Sequence, residues 1–154
     1  MTPSLEVTPY DSLDDLNLLA LCVWREARGE GMLGKRGVAH VITNRVQHGG
    51  YGLGFHGVIL KPWQFSSFNA NDPNSRKWPL DGEADWLDCL DAAKAVTQQT
   101  EEDFTKGSLF YFSRPLTAPP HAWGPVEIML TVGHLTFCKP IPPTSSGDIY
   151  LEES

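Results

Sequence analysis

Glu26 is the side chain of this sequence best placed for acid–base chemistry. It lies three residues after Val23 and seven after Leu19, so on an ideal helix these side chains share one face. A carboxylate on a face that packs into a core is partly desolvated, which raises its pKa and keeps it protonated near neutral pH, as a general acid requires. The alternative is a structural ion pair with a nearby arginine, namely Arg25, Arg28 or Arg45. Periodicity alone favours the ion pair, because ion pairs also perturb carboxylates.

A second carboxylate and three thiols complete the candidate chemistry. Glu30 lies four residues after Glu26, beyond a glycine that is expected to end the helix. The three cysteines, Cys22, Cys89 and Cys138, are widely spaced, so inert buried thiols are expected. The five histidines form no HExxH motif and no close ligand spacing. The sequence therefore predicts no metal site and no cofactor, although a Cys22 nucleophile is formally possible.

The helix that carries Glu26 is predicted to run from Asp11 or Ser12 to Arg28. Apolar residues recur along it at steps of three and four. Asp11 and Ser12 are both good N-caps, and Gly29 is a good stop. Glu26 is then expected close to the end of this helix.

Two further helices and one strand are predicted. The second helix covers about Gly34–Gln47 and forms a hairpin with the first, and the third covers about Gly82–Phe104. Residues 51–79 hold most of the turn formers and several aromatic residues, which is typical of loops and short strands that line a groove. Residues 108–112 are rich in aromatic side chains and are predicted as a strand or a buried extended stretch.

The bulk properties indicate one globular domain. A chain of 154 residues with 41% hydrophobic content can bury one core of useful size. Residues 11–139 are predicted to form this domain, and residues 1–10 an N-terminal extension. Residues 140–154 are rich in proline and serine and end acidic, so a disordered tail is expected there.

Charge and hydropathy exclude several partners. The net charge is −7, so the chain lacks the positive field that binds phosphates, and nucleic acid is not expected as a partner. The basic pair Lys35-Arg36 is expected to be solvated. No apolar stretch of about 18 residues occurs, so stable membrane insertion is not expected. Because the first residues lack a signal-peptide pattern, we expect the protein to be cytoplasmic as synthesised.

Motifs between residues 24 and 137 follow a recognisable order. They are Trp24-Arg25-Glu26-Ala27-Arg28-Gly29-Glu30, Gly34, Gly37-Val38-Ala39 with Asn44-Arg45, Gly57-Val58-Ile59, Gln64-Phe65-Ser66, Trp123 and Gly133-His134-Leu135-Thr136-Phe137. This set resembles the SleB-like cell-wall hydrolases, the family of the spore cortex-lytic enzymes. The resemblance extends over about Leu18 to Phe137, and its first block is the specific one.

The resemblance implies a fold and a reaction. The expected fold is α+β and mainly helical, a lysozyme-like single domain with a glycan-binding groove. The implied activity is that of a lytic transglycosylase on peptidoglycan glycan strands, with Glu26 as the catalytic glutamate. The sugar's own 6-hydroxyl closes on the anomeric carbon in that reaction, so no second carboxylate is strictly required. A muramidase-type hydrolase would need a second carboxylate roughly 5 to 9.5 Å away, and Glu30 is the nearest in sequence.

The resemblance also indicates which residues line the groove. They are Gln64, Phe65, Ser66, Tyr111, Trp123 and His134. Gln64 and Ser66 would hold sugar hydroxyl or acetamido groups, and the alternative for both is a loop whose polar groups are satisfied internally. Asn44 and Arg45 are expected to brace the first helix or the catalytic carboxylate.

The chain departs from the family pattern at two places. Many relatives carry a histidine after an aromatic pair, whereas Phe112 follows Phe110-Tyr111 here, and His134 follows Gly133 directly. These differences leave the role of this groove wall and the preferred substrate open. They do not affect Glu26.

Two other classes of function remain as alternatives. A metal- or cysteine-dependent amidase would need a metal site or a cysteine dyad. A catalytically inactive wall-binding module would keep the fold without the reaction. If the chain is active and has no leader, it fits a phage endolysin that reaches the wall after holin-type release.

Overall fold

The computed structural model describes residues 9–62, 64–114 and 116–142. Within these segments the α-helices are α1 (Asp15–Ala27), α2 (Met32–His48), α3 (Gly54–Ile59) and α4 (Ala84–Thr97). The strands are β1 (Phe110–Ser113), β2 (Val126–Val132) and β3 (Leu135–Pro140). Short 3-10 helices lie at Ser66–Phe68, Pro73–Arg76 and His121–Trp123. The fold is therefore α+β and mainly helical, as predicted.

Helix α1 begins at Asp15, later than predicted. The carboxylate of Asp14 accepts a hydrogen bond from the backbone N–H of Asn17 at 2.8 Å, which is the geometry of an N-cap. The predicted caps, Asp11 and Ser12, lie before this point in a turn. The predicted helix start is wrong because the side chain that satisfies the first free N–H groups is that of Asp14.

Helices α1 and α2 form the predicted hairpin. Gly29 has a φ of +93°, in the left-handed region that favours glycine, and it lets the chain turn out of α1. Helix α2 begins at Met32, two residues before the predicted start, and ends before Gly49, as predicted. The short connection brings the two helices into contact.

Helix α4 is shorter than predicted. It ends at Thr97 instead of near Phe104, because Gln99 adopts a φ of +55° and turns the chain. Beyond the turn, the carboxylate of Asp103 accepts a hydrogen bond from the Asn44 side chain of α2 at 2.8 Å. The residues that periodicity assigned to the helix therefore form a loop that is held against α2.

Residues 51–79 form helical turns instead of the short strands that their composition suggested. Helix α3 and two of the 3-10 helices lie here, and no strand occurs in the described part of this segment. Asp72 caps the second 3-10 helix by accepting a hydrogen bond from the backbone N–H of Asn74, with Pro73 in its first turn. The segment contributes one side of the candidate site.

The three strands form an antiparallel sheet in the order β1-β3-β2. The strand predicted at 108–112 is β1, whereas β2 and β3 were not anticipated. Tyr111 of β1 pairs with Phe137 of β3, and Phe137 is fully buried. Gly37 of α2 leaves space for this ring, since a Cβ at Gly37 would lie 2.3 Å from Cζ of Phe137. The sheet therefore packs closely on α2.

Helix α1 forms the centre of the core. All residues from Leu18 to Trp24 are at most 4% exposed. The three cysteines are buried free thiols, as predicted. No helix in the described segments is long and apolar enough to cross a membrane.

Lys35 corrects the prediction of a solvated basic pair. Its side chain is only 4% exposed, because it extends from α2 to α4. The ammonium group lies 2.8 Å from Oδ1 of Asp85 and donates to the backbone carbonyl of Glu30 at 2.6 Å. Lys35 thus ties α4 to the turn between α1 and α2.

Both predicted termini extend beyond the described residues. Of the predicted extension only Pro9 and Tyr10 are described, and Tyr10 belongs to the core cluster. Residues 143–154, most of the predicted tail, lie outside the described segments.

Candidate active site

Glu26 lies in the last turn of α1 and joins three parts of the chain. Its Oε1 accepts a hydrogen bond from the Tyr111 hydroxyl of β1 at 2.5 Å. Its Oε2 accepts one from the Ser67 hydroxyl of the first 3-10 helix at 3.2 Å. Both carboxylate oxygens are thus held by neutral donors.

The surroundings of Glu26 suit a proton donor. Burial raises the pKa of this carboxyl above its ordinary value. The hydrogen bonds from Tyr111 and Ser67, together with the charge of Arg45, lower the pKa without cancelling the rise, and Asp72 raises it further. A larger fraction of Glu26 therefore stays protonated near neutral pH than for an exposed glutamate.

The ion pair that periodicity favoured is not formed. Within the described segments, no ion pair of 4.0 Å or less involves Glu26. Arg25 donates to backbone carbonyls, and the guanidinium of Arg28 lies over the Trp24 ring at 4.3 Å. Arg45 acts on Glu26 only through its longer-range charge. The carboxylate is consequently not neutralised by a cation in contact with it.

Tyr111, a predicted groove residue, is brought directly onto Glu26. Desolvation, with the nearby Glu26 carboxylate, raises the pKa of Tyr111 well above its ordinary value, so the hydroxyl keeps its proton and donates. The ring lies 6.2 Å from that of Phe137, its partner across the sheet. The pairing of β1 with β3 therefore sets the position of the hydroxyl.

The Gln-Phe-Ser motif contributes differently from the prediction. Ser66 is exposed, whereas Ser67 is buried and bonds to Glu26. Phe65 is only 3% exposed, so it fills the core and presents no surface to a ligand, which corrects its assignment as a binding residue. Sequence reasoning missed Ser67, although its place beside the motif made it a candidate.

Gln64 and Arg45 bind each other and support the chain segments beside the site. The Arg45 guanidinium donates to Oε1 of Gln64 at 3.1 Å and to the backbone carbonyl of Leu109 at 2.7 Å. Arg45 therefore links the loop of Gln64 to the residue before β1. Asn44 donates to the carbonyl of Ser108 at 3.0 Å and supports the same stretch. Asn44 and Arg45 thus hold this loop and the stretch before β1, whereas the prediction had them brace the first helix or the Glu26 carboxylate.

Glu30 and His134 contact each other, and neither of them bonds to Glu26 through the hydrogen bonds described above. The Glu30 carboxylate lies 3.1 Å from Nδ1 of His134 and accepts the backbone N–H of His134 at 3.3 Å. Gly133 has a φ of +58°, and a Cβ there would lie 2.5 Å from Oε1 of Glu30. Glu30 thus holds the turn between β2 and β3, while the His134 ring stays largely exposed.

Comparison with known proteins places this chain in a family. Residues 29–138 match the cell wall hydrolase family. This chain belongs to the cell wall hydrolase family. The spore cortex-lytic enzyme of Oceanobacillus iheyensis is 30% identical over 140 residues, which are 90% of this chain and 46% of that protein. The spore cortex-lytic enzyme of Bacillus cereus is 31% identical over 129 residues, 83% of this chain and 45% of that protein. This cell wall hydrolase thus spans less than half the length of these relatives.

Solved structures of two catalytic domains share the fold. The catalytic domain of the germination-specific lytic transglycosylase SleB from Bacillus anthracis superimposes with a TM-score of 0.62 at 29% identity, over 86% of this chain and all (100%) of that one. The catalytic domain of Bacillus cereus SleB gives 0.61 at 29% identity, over 81% of this chain and 89% of that one. The predicted lysozyme-like fold is confirmed by this likeness.

The remaining aromatic candidate of this cell wall hydrolase, Trp123, ends the third 3-10 helix and packs against β1. Trp123 stacks on Phe110 with ring centroids 4.8 Å apart and planes 14° apart, and it is partly exposed. It is therefore available as an edge of a binding surface. Trp78 is 43% exposed, and Trp63 lies outside the described residues.

Other catalytic groups find little support in the geometry. No group of three His, Cys, Asp or Glu side chains suited to a metal ion occurs among the described residues. Burial raises the pKa of Cys22 well above its ordinary value, so the thiolate needed for a nucleophile is disfavoured.

Proposed function

We propose that this chain is a peptidoglycan-cleaving lytic transglycosylase domain in which Glu26 is the general acid and base. One observation carries the proposal: a glutamate desolvated in the last turn of α1, with both oxygens held by hydroxyl donors and no cation from the described residues in contact with it. The membership in the cell wall hydrolase family and the names of the relatives support the substrate class.

The two oxygens of Glu26 have different tasks in the proposed reaction. The short hydrogen bond from Tyr111 occupies Oε1, so Oε2, with the longer contact from Ser67, is the oxygen that exchanges the proton. Protonated Glu26 donates to the glycosidic oxygen as the bond from that oxygen to the anomeric carbon breaks. The leaving sugar departs with a hydroxyl group, and Glu26 becomes a carboxylate.

The second step uses the same carboxylate as a base. Glu26 takes the proton of the 6-hydroxyl of the remaining sugar, whose oxygen then bonds to the anomeric carbon and gives a 1,6-anhydro ring. The proton that Glu26 lost is restored, so the cycle closes without a second carboxylate. This agrees with the engagement of Glu30 by His134 in the turn between β2 and β3.

A hydrolytic reaction is the second candidate, and the negative charge of Asp72 near Glu26 favours it. Its charge raises the pKa of Glu26, so it lies near enough to act electrostatically on the site. A muramidase would need such a second carboxylate to activate water or to stabilise the sugar cation. If the enzyme is a hydrolase, Asp72→Asn should abolish product formation. If it is a transglycosylase, the same variant should keep most of the wild-type rate.

The test is digestion of purified peptidoglycan by the wild type, Glu26→Gln and Glu102→Gln. Loss of a general acid lowers the rate by about 100- to 10,000-fold, so Glu26→Gln should release almost no soluble fragments. Glu102→Gln removes the same charge at an exposed position and should behave as the wild type. Circular dichroism confirms that each variant is folded.

Mass spectrometry of the fragments separates the candidate reactions. Anhydro-muramyl ends that are released by the wild type and vanish in Glu26→Gln would support the transglycosylase. Fragments with reducing ends would show that the enzyme is a hydrolase. Full activity of a folded Glu26→Gln would show that another residue is the acid.

A further inference from the structure

Arg25, the residue before Glu26, carries a buried guanidinium with an unusual set of partners. Within the described segments no carboxylate lies within 4.0 Å of it. Its N–H groups donate instead to the Tyr10 hydroxyl at 2.9 Å and to three backbone carbonyls, those of Ser67 at 3.3 Å, Ser75 at 3.2 Å and Lys77 at 2.9 and 3.2 Å. The three carbonyls all belong to the 67–77 segment.

Aromatic rings complete the surroundings of the guanidinium. Its central carbon lies 4.7 Å from the ring centroid of Phe68, 5.0 Å from that of Trp78 and 5.4 Å from that of Tyr10. A buried charge is costly unless its hydrogen bonds are made and polarisable faces surround it. Arg25 therefore holds the 67–77 segment against α1 by many contacts that must form together.

Ser67 connects this cluster to the candidate acid. Its backbone carbonyl accepts from Arg25, and its hydroxyl donates to Oε2 of Glu26. The side chains of neighbouring helix residues point about 100° apart, so Arg25 and Glu26 contact Ser67 from two directions. A shift of the 67–77 segment away from Arg25 would carry the Ser67 hydroxyl away from Glu26.

We propose that Arg25 is a positioning residue for Glu26: by clamping the 67–77 segment to α1, it keeps the Ser67 hydroxyl on Oε2 of the acid. The proposal rests on the proposed function for the role of Glu26. Arg25 makes no hydrogen bond to Glu26 itself, so its effect on the acid is transmitted through Ser67.

The pH profile distinguishes positioning from a general loss of stability. The hydrogen bond from Ser67 favours the ionised form of Glu26 and so lowers its pKa. Removing it raises the pKa of the acid, and the alkaline limb of the rate profile then moves to higher pH. Weakened folding alone would scale the rate without moving this limb in that direction.

The experiment compares initial rates of peptidoglycan solubilisation against pH for Arg25→Met, Arg25→Lys, Ser67→Ala and the double variant Arg25→Met with Ser67→Ala. We expect the limb to move upward in the single variants and the rate at the optimum to fall about 2- to 10-fold, the worth of one hydrogen bond. The double variant should show no further movement, because both changes remove the same contact. Arg28→Met, at the exposed residue that follows α1, is the matched control and should leave the limb in place.

Each outcome bears on one proposal. A limb that moves in Ser67→Ala and stays in the Arg25 variants would overturn the positioning role, since Ser67 would then be held without Arg25. Additive movements in the double variant would overturn it as well. Arg25→Lys keeps a charge and a donor, so it provides the profile if Arg25→Met does not fold. Unchanged activity in Glu26→Gln would instead overturn the proposed function, so the two failures are distinguishable.

Discussion

At the scale of single residues, the site works through the balance between burial and hydrogen bonding at Glu26. Burial alone would hold the proton too firmly for a group that must also act as a base. The donors Tyr111 and Ser67 stabilise the carboxylate and so moderate the rise in its pKa. A pKa set between these effects suits both halves of the proposed cycle.

Tyr111→Phe tests this balance. The variant keeps the ring against Phe137 and loses the donor to Oε1, so the pKa of Glu26 rises further and activity persists to higher pH. The rate at the optimum should fall about 10- to 100-fold, the effect of a lost hydrogen bond to a charged group. A pH profile of peptidoglycan solubilisation measures both, with Tyr51→Phe as the control. An alkaline limb at lower pH than in the wild type would contradict the assignment.

Glu26→Gln should also change stability with pH. The folded pKa of Glu26 lies above its unfolded value, so the stability linked to its proton is full below the unfolded pKa and is lost as the pH rises through the folded pKa. Glutamine carries no charge at any pH. We expect its Tm to exceed that of the wild type at pH 8 and to match it at pH 3. Thermal melts at the two pH values, with Glu102→Gln for comparison, measure the difference. A lower Tm at pH 8 would show that ionised Glu26 stabilises the fold.

At the scale of elements, the position of Tyr111 depends on how closely the sheet approaches α2. β1 carries Tyr111, β3 carries its partner Phe137, and the Phe137 ring lies over Gly37. The glycine is therefore required for the distance between helix and sheet, and this distance places the hydroxyl on Glu26.

Gly37→Ala should separate these elements. Alanine gains about 1 kcal/mol in helix propensity, but its Cβ would lie 2.3 Å from Cζ of a fully buried ring. Overpacking at such a site costs about 1 to 3 kcal/mol, so we expect a net loss of stability and a lower rate. Urea denaturation measures the loss. Gly31→Ala, whose Cβ would meet no atom within 4 Å, is the control, and its cost is only that of a poorer N-cap. Equal stability of Gly37→Ala and the wild type would contradict the close approach.

At the scale of the whole molecule, one core joins α1, the other helices and the sheet. The three cysteines can be used to probe its packing, because Cys22 lies on α1, Cys89 on α4 and Cys138 on β3. Burial raises the pKa of Cys22 well above its ordinary value, that of Cys89 to about 12 and that of Cys138 to about 11. Cys22 and Cys89 lie in one core cluster, and Cys138 is buried on the sheet.

Thiol labelling should follow global unfolding. For the native protein at pH 8 we expect labelling by a thiol reagent at least about 1,000-fold slower than in concentrated guanidinium, because the unfolded fraction of a stable domain is that small. Mass spectrometry after timed labelling gives the rate for each cysteine. Rapid reaction of Cys89 alone would show that α4 opens separately from the core.

The sequence by itself determined the helical periods, the hairpin of α1 and α2, the face of α1 that carries Glu26 and the motifs of the cell wall hydrolase family. These depend on residues close together in the chain, where spacing and local conformational preference dominate. The helix ends were less well predicted, because Asp14 competed with equally good caps and the turn at Gln99 overrode the periodicity.

Only the tertiary structure decided which groups touch Glu26. Ser67 and Tyr111 are 41 and 85 residues away from it, and their contacts depend on how the 67–77 segment is held against α1 and how β1 packs against α2. The same holds for Arg25, which periodicity offered as an ion-pair partner and which binds carbonyls instead. Hydrogen bonds are short-ranged and directional, so a spacing along the chain indicates the face of a side chain but not the partner that reaches it.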